Sequence, residues 1–220
     1  MYTIMPGTRR RTAAPARRVK RARPTRKRGM RMARTVNVKR DIYFFTRGMN
    51  NPGTYTGNVA YAPLLQASAF TFTSLVNASE FTALFDQYKI THVQVKFFLK
   101  IDPGAQSAAG ASYPKLFTIT DHDDESPPAS LNVMREHPRC RIRVMNPNRP
   151  VTVNIKPAIL GLAYKTAVAS AYCPKWKQWI DCNDSMVPHY GLKWAIDDLT
   201  NTNYKVDTEV KMWFACRGAR

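Results

Sequence analysis

The sequence predicts an all-β fold in which eight antiparallel strands form a two-sheet sandwich, preceded by a basic N-terminal segment. Hydrophobic and polar residues alternate over several stretches after residue 38, and this period of two is typical of strands with one buried face. Helical spacing of apolar residues is confined to two short segments. With 220 residues, of which 44% are hydrophobic, the chain is long enough for one β-rich domain with its own core.

The first 40 residues differ from the rest of the chain in charge. They hold 15 Lys and Arg and no Asp or Glu, whereas residues 41–220 hold 19 Lys and Arg and 15 Asp and Glu. Residues 1–37 also lack hydrophobic periodicity and are rich in Arg, Ala, Thr and Pro. Such a composition cannot bury enough apolar surface to offset chain entropy. We therefore expect segment 1–37 to be disordered when unbound and the folded domain to span 38–220.

Alternation is clearest in three stretches, 88–101, 189–197 and 204–217. Their predicted buried residues are Val93, Val95, Phe97, Leu99, Ile101, Tyr190, Leu192, Trp194, Ile196 and the even-numbered residues from Tyr204 to Cys216. Five further strands are predicted at 40–47, 68–75, 114–121, 139–145 and 151–156. The last two are joined by the turn-rich sequence NPNRP, which is typical of a loop between strands.

Two short helices and several long loops complete the prediction. Asn77 or Ser79 can cap a helix that carries Phe81, Leu84 and Phe85 at helical spacing, and Ser130 can cap about two turns. The apolar, Pro-interrupted segment 157–187 is predicted to be a long loop that can contain a short helix. Eight antiparallel strands with long connections are typical of a jelly roll. An immunoglobulin-like sandwich usually has shorter turns and a Cys…Trp…Cys arrangement that this sequence lacks.

The cations of the basic N-terminal segment are the main candidate binding residues. The planar guanidinium of Arg suits phosphate oxygens, and a run of positive charge without acids favours a polyanion, nucleic acid first. The clusters RRVKRAR and RKRGMR, separated by Pro-Thr, also have the composition of a nuclear localisation signal. The candidates are Arg9, Arg10, Arg11, Arg17, Arg18, Lys20, Arg21, Arg23, Arg26, Lys27, Arg28, Arg31, Arg34, Lys39 and Arg40.

Membrane binding is disfavoured by the same segment. Its few apolar residues form no amphipathic face with aromatic anchors, and no stretch of the sequence approaches the eighteen or so apolar residues of a membrane span. The N-terminus also lacks the apolar run of a signal peptide. We expect no membrane insertion, and a protein kept inside a cell or inside a particle.

Three arginines in the strand at 139–145 form a second candidate contact for nucleic acid. Arg139, Arg141 and Arg143 alternate with Cys140, Ile142 and Val144 and therefore share one face of that strand. Such a face can meet nucleic acid or an acidic neighbour, or it can be solvated. The sequence leaves these alternatives open.

The sequence PKWKQW places two indoles among lysines. Trp176 and Trp179 could stack on bases, with Lys175 and Lys177 near the phosphates. Packing inside the fold or against another subunit is the more ordinary role of such residues. We favour the second interpretation.

Metal binding and catalysis have weak signals. The sequence DHDDES at 121–126 could hold a hard cation, although an acidic loop at the end of a strand explains it as well. The four cysteines include no C-x-x-C pair, so buried thiols are favoured over zinc ligands or disulfides. No phosphate-binding loop, nucleophile elbow or H-E-x-x-H motif is present, and the four histidines form no H-x-H pair. We predict a protein that is not an enzyme and has no metal or cofactor.

The order of these features completes the sequence argument. An arginine-rich segment leads into VNVKRDIYFFTRG, SEFTALFDQYKITHVQVKFF predicts a short helix followed by a long strand, and the last alternating strand contains Trp213-Phe214. This layout resembles the capsid proteins of small circular single-stranded DNA viruses, the circovirus-like group, and stretch 81–98 is its most specific part.

That resemblance implies a role as well as a fold. It implies a single jelly roll, a T=1 shell of sixty copies, and a basic segment that faces the lumen and packages the circular single-stranded DNA genome. It also implies import by the host nuclear import machinery, assembly in the host nucleus, and location in the virion; the cell-surface receptor stays unknown. Sixty basic segments would bring roughly 900 positive charges, enough for a strand of about a thousand nucleotides.

Two other functions fit part of the sequence. A cellular nucleic-acid-binding protein of the ribosomal type would explain the basic extension, but the nearly balanced charge of residues 41–220 counts against it. A carbohydrate-binding jelly roll would explain the fold and leave the basic segment without a role.

Overall fold

The computed structural model describes residues 42–50, 53–102, 113–166 and 169–219. The strands in these ranges are β1 (Ile42–Gly48), β2 (Thr54–Thr56), β3 (Leu64–Phe70), β4 (Phe85–Ile101), β5 (Lys115–Ile119), β6 (Arg141–Val144), β7 (Val151–Ile155), β8 (Ala158–Lys165), β9 (Ser170–Trp176), β10 (Ile180–Asp181), β11 (His189–Ile196) and β12 (Tyr204–Ala219). The helices are α1 (Ala78–Leu84) and α2 (Leu131–Glu136), with 3₁₀ turns at Phe72–Ser74 and Cys182–Asp184. None of the described helices combines the length and the apolar character that a membrane span needs.

The strands form two antiparallel sheets. In the first sheet the order is β1–β12–β4–β10, with β2 added to β12 and β7 added to β4. In the second sheet the order is β6–β5–β11–β8–β9, with β3 added to β11. The eight predicted strands correspond to the rows β1–β12–β4–β7 and β3–β11–β5–β6, which is the arrangement of a jelly roll. The predicted all-β, two-sheet fold is therefore confirmed, and β2, β8, β9 and β10 are additions to it.

The long strands β4 and β12 pair with each other in the middle of the first sheet. Their register runs from Tyr204 opposite Ile101 to Ala219 opposite Phe85, with a bulge between Trp213 and Phe214. The even-numbered residues from Tyr204 to Cys216 are buried, as the alternation predicted. Among their charged neighbours, Glu209 and Asp207 point outward and form cross-strand ion pairs with Lys96 and Lys100, because a solvated face allows opposite charges to lie side by side.

Aromatic rings fill the core between the sheets. Phe72 stacks on Tyr88 with 4.2 Å between ring centroids, and Phe81 meets Phe214 edge to face at 5.1 Å. All four residues are buried. Edge-to-face and offset contacts of this kind add to the stabilisation from burial alone.

The two predicted helices are present with different caps. Ser130 accepts a hydrogen bond from the backbone N–H of Val133 at the start of α2, which confirms the predicted cap. Asn77 precedes α1 in the left-handed conformation, with φ of 60°, and makes no side-chain cap. Helix α1 is also shorter than the predicted segment, because Phe85 already belongs to β4.

The prediction of a long loop at 157–187 is wrong. This segment contains the hairpin β8–β9, strand β10 and a 3₁₀ turn. Most hairpin residues beyond Gly161 are exposed or half-buried, so no buried face imposes a period of two on the sequence. Gly161 and Pro174 lie inside the strands, where both residues are usually disfavoured.

Two other strands differ from their predictions. The strand expected at 68–75 lies at Leu64–Phe70 and is followed by the 3₁₀ turn. Strand β11 buries Leu192, Trp194 and Ile196 as predicted, but Lys193 and Ala195 on its other face are buried too. The reason is that Met134 of α2 packs over this face of the second sheet together with Ala195.

Candidate nucleic-acid and assembly surfaces

The fifteen cations predicted as the main nucleic-acid contact, from Arg9 to Arg40, lie outside the described residues. The three arginines proposed as secondary contacts are at or beside β6, which pairs only with β5 at the edge of the second sheet. Arg139 and Arg141 are exposed. Arg143 donates from Nη1 to the carbonyl oxygen of Thr152 on β7 at 2.8 Å. Arg143 therefore joins the edges of the two sheets, while Arg139 and Arg141 face solvent.

The acidic stretch at 121–126 binds a lysine of the same chain. It follows β5 and lies over the middle of β11, where the Nζ of Lys193 is 3.1 Å from Asp121, 3.2 Å from Asp123 and 2.6 Å from Asp124. The Lys193 side chain is only 10% exposed. Among the described residues no group of three His, Cys, Asp or Glu side chains could hold a metal ion. The stretch is thus an intramolecular ion-pair site.

The titration of this cluster reflects the same contacts. Burial alone would lower the pKa of Lys193, but hydrogen bonds to the three carboxylates outweigh it and raise that pKa above its usual value. The hydrogen bond from Lys193 is the main reason that the pKa of Asp124 is lowered. Lys193 and Asp124 therefore both stay charged near neutral pH.

A group of cations and indoles covers one end of the outer face of the first sheet. Strand β10 places Trp179 beside Lys89, whose Nζ is 4.4 Å from the centre of the indole. The Arg217 Cζ lies 4.2 Å from the same ring, and Arg217 Nε donates to Gln87 Oε1 at 2.7 Å. The cations beside Trp179 thus come from β4 and β12.

A second indole repeats this arrangement one step along the sheet. The Nζ of Lys211 is 5.2 Å from the ring of Trp213, and His92 meets that ring edge to face at 5.1 Å. Trp176, the other tryptophan considered for stacking, is half exposed and contacts His122. Sequence reasoning missed the Trp213 group because its members come from β4 and β12.

The hairpin β8–β9 carries an exposed apolar surface. Leu162, Tyr164, Tyr172 and Trp176 are each about half exposed or more. Leu162 lies directly opposite Tyr172 in the hairpin, so these two exposed side chains share a face, and exposed apolar side chains that lie together are typical of protein–protein contact sites. The hairpin is therefore the best candidate in the described chain for contact with another subunit.

The four cysteines are free thiols. Cys182 and Cys216 are buried, and Cys140 and Cys173 are partly buried. Burial raises the pKa of Cys216 to about 12, so this thiol stays protonated and unreactive.

Known proteins resemble the chain in sequence and in fold. The family model of the circovirus capsid protein matches residues 8–220. The crystal structure of the 60-mer BFDV capsid protein has a similar fold, with a TM-score of 0.58 and 12% identity over 81% of this chain and 94% of that chain. The decameric BFDV capsid protein gives a TM-score of 0.51 and 12% identity over 80% and 100% of the two chains. No curated protein sequence matches the chain.

Proposed function

We propose, since this chain belongs to the circovirus capsid protein family, that it assembles into a T=1 shell of sixty copies around a circular single-stranded DNA genome. Membership of the family makes the chain a structural component of the virion and not an enzyme. It also decides against the cellular ribosomal-type protein that the sequence left as an alternative.

Assembly has support from the surface of the domain and from its fold. The apolar side chains of the β8–β9 hairpin suit a contact between copies, because burying them against a neighbour removes apolar area from water. The BFDV capsid protein, which shares the fold at 12% identity, forms a 60-mer. We extend that number of copies to this chain.

The observation that carries DNA packaging is the separation of charge along the chain. Residues 1–40 hold 15 cations and no acids, and the remainder is close to balanced. A cationic segment of this kind neutralises phosphates with little dependence on sequence and with strong dependence on salt. The cations from Arg9 to Arg40 would make the main contacts, and the exposed Arg139 and Arg141 would add secondary ones.

The same segment would direct the protein to the host nucleus for assembly. The clusters at 17–23 and 26–31 are separated by Pro24 and Thr25, which is the layout of a two-part import signal. The host import machinery would then be a partner of the newly made chain, before the genome binds the same arginines.

Substitution of the two clusters tests packaging and import together. In the full chain, the Arg and Lys residues of the cluster at 17–23, of the cluster at 26–31, or of both clusters are changed to Gln. The control variant changes the Arg residues of both clusters to Lys and so keeps the charge. We expect the doubly neutralised chain to form shells that hold little DNA, and the Lys control to keep packaging. Normal DNA content in purified neutralised shells would refute the packaging proposal. Fluorescence microscopy of the single-cluster variants measures import.

A further inference from the structure

We propose that the outer face of the first sheet is a second binding surface for single-stranded nucleic acid. This surface, called the cation–indole face, consists of Lys89, Lys211, Arg217, Trp179, Trp213 and the exposed ring of Phe44. The inference rests on the proposed function, because it assumes that the protein encloses single-stranded DNA. It adds a contact within the folded domain to those of the basic N-terminal segment.

The strand register brings these residues onto one face. Phe44 lies opposite Ala215, which in turn lies opposite Lys89. One step along, Trp213 lies opposite His92. Directly opposed residues in antiparallel strands share a face, and the alternating neighbours Ile90 and Phe214 are buried in the core. The cation–indole face is therefore turned away from the core.

The three cations of this face are held by neutral partners. Lys89 and Arg217 lie against Trp179, Arg217 also bonds to the amide of Gln87, and Lys211 lies against Trp213. An indole fixes the position of a cation without cancelling its formal charge. Positions of this kind suit the binding of phosphate oxygens.

In the other half of the same sheet, the lysines pair with carboxylates. Lys96 pairs with Glu209 at 3.6 Å, Lys100 pairs with Asp207, and Lys205 lies 3.8 Å from Asp102. These three ion pairs thus lie in the half of the sheet away from the indoles. Positive charge without a carboxylate partner is concentrated at the other half.

Two acids, Asp86 and Asp181, lie near the cation–indole face. Asp181 lies opposite Gln87, but its carboxylate accepts from the backbone N–H of Asn183 at 2.9 Å. Asp86 is exposed at the start of β4, next to the buried Phe85. The three cations of the cation–indole face outnumber these two acids, so its net charge is positive.

Phe44 adds an aromatic platform. Its side chain is 74% exposed and shares a row with Lys89. Proteins that bind single strands combine a basic groove with aromatic rings on which bases stack, and this combination tolerates any sequence. A contact with a second protein copy fits less well, because the centres of protein interfaces are depleted of charged residues.

Paired substitutions on the two halves of the sheet test the proposal. In the full chain, Lys89→Gln with Lys211→Gln removes two cations of the face, and Lys96→Gln with Lys100→Gln removes two cations from the ion-paired half as the matched control. Binding of a fluorescent oligothymidine is measured by anisotropy at several salt concentrations. We expect the first pair to reduce the slope of log K against log salt by about 1.4, or 0.7 for each phosphate contact, and the control pair to leave it unchanged. Equal effects of both pairs would overturn the proposal.

Phe44 supplies an independent arm of the test. We expect Phe44→Leu to weaken oligothymidine binding about fivefold or more and Phe44→Tyr to keep it, because stacking needs an aromatic ring. If Phe44→Leu abolishes shell formation and leaves oligothymidine binding unchanged, the face is a subunit contact and the proposal is wrong.

The same substitutions in a chain with neutralised clusters at 17–23 and 26–31 separate this inference from the proposed function. Residual oligothymidine binding that disappears with Lys89→Gln and Lys211→Gln supports the cation–indole face. Residual binding that survives these changes, or a complete absence of residual binding, overturns it and leaves packaging by the N-terminal segment intact.

Discussion

Lys193 is the residue whose partner was hardest to predict. The acidic stretch at 121–126 was consistent with a cation site or with an acidic loop, and its actual partner is about 70 residues away in sequence. Local patterns cannot indicate such a contact. One signal was present, because Lys193 is a single charge inside the apolar strand β11. A charge at a central strand position needs an oppositely charged partner.

We predict that Lys193→Met lowers the free energy of unfolding by about 2 kcal/mol, since three clustered carboxylates would then lack their cation. This loss of stability is smaller than for a fully buried ion pair, because the three carboxylates are partly exposed to solvent. Urea unfolding of the purified variant measures the change. Lys100→Met is the matched control, because the Lys100 side chain is mostly exposed. A surface ion pair contributes less than about 1 kcal/mol to the free energy of unfolding. Similar losses in both variants would contradict the buried role of Lys193.

His189 is a buried titratable group that links stability to pH. It is 3% exposed, its Nδ1 lies 3.0 Å from the carbonyl oxygen of Val187, and that contact requires the proton on Nδ1. Burial lowers the pKa of His189 to about 4. The unfolded chain, with an ordinary histidine pKa near 6.5, therefore takes up a proton first as the pH falls. The contribution of neutral His189 to stability is complete above about pH 6.5 and is lost toward pH 4.

We predict that wild-type protein loses about 2.5 kcal/mol of unfolding free energy from this group between pH 7 and pH 4.5. In His189→Asn the side-chain amide can still donate to Val187 but cannot titrate, so this part of the pH dependence should vanish. Urea unfolding at several pH values gives both curves. Parallel curves for the two proteins would show that another group causes the loss.

At the scale of elements, a buried face determined which strands could be predicted. Strands β4 and β12 lie with one side on the core and one in solvent, so their alternation identified them with the correct faces. The hairpin β8–β9 extends beyond that core, and no comparable pattern marks it. Strand β11 alternates less than expected, because α2 and the acidic stretch cover its second face. The strands β8, β9 and β10, which carry candidate surfaces, were not predicted for the same reason.

We predict that Tyr172→Ser together with Leu162→Ser prevents shell formation and leaves the subunit folded. The two side chains lie opposite each other and are exposed in the hairpin, and the substitutions would remove apolar area that we assign to a subunit contact. Size-exclusion chromatography with light scattering gives the assembly state, and circular dichroism gives the fold. Tyr172→Phe keeps the apolar ring and should still assemble. Normal shells from the double variant would remove the hairpin from the contact.

At the scale of the whole molecule, the order of features along the sequence indicated the capsid family, and the family model matches residues 8–220. The net charge of +19 and its concentration in the first 40 residues pointed to a polyanion before any strand was assigned. The shape of the folded surface could not be predicted, since the cation–indole face joins residues from β1, β4, β10 and β12. Such a face depends on register, which sequence patterns fix only locally.

We predict that the purified chain, freed of nucleic acid, assembles only at high salt, and that added single-stranded DNA allows assembly at low salt. Self-repulsion among so many cations opposes close approach, and salt or a polyanion screens it. Electron microscopy across a salt series records the shells. The chain with neutralised clusters at 17–23 and 26–31 should assemble at low salt without DNA, and failure to do so would show that charge repulsion is not the barrier.

Because β4 pairs with β12 over almost its whole length, the resistance of the domain to a pulling force depends on the direction of the pull. The hydrogen bonds of an antiparallel pair are perpendicular to the strands, so a pull along β12 loads the whole ladder from Tyr204 to Ala219 at once. Strand β10 is joined to β4 at two positions only, and β2 is joined to β12 at three. We therefore expect a pull along the strands to detach β10 and β2, which have few paired positions, at a lower force than the one that separates β4 from β12.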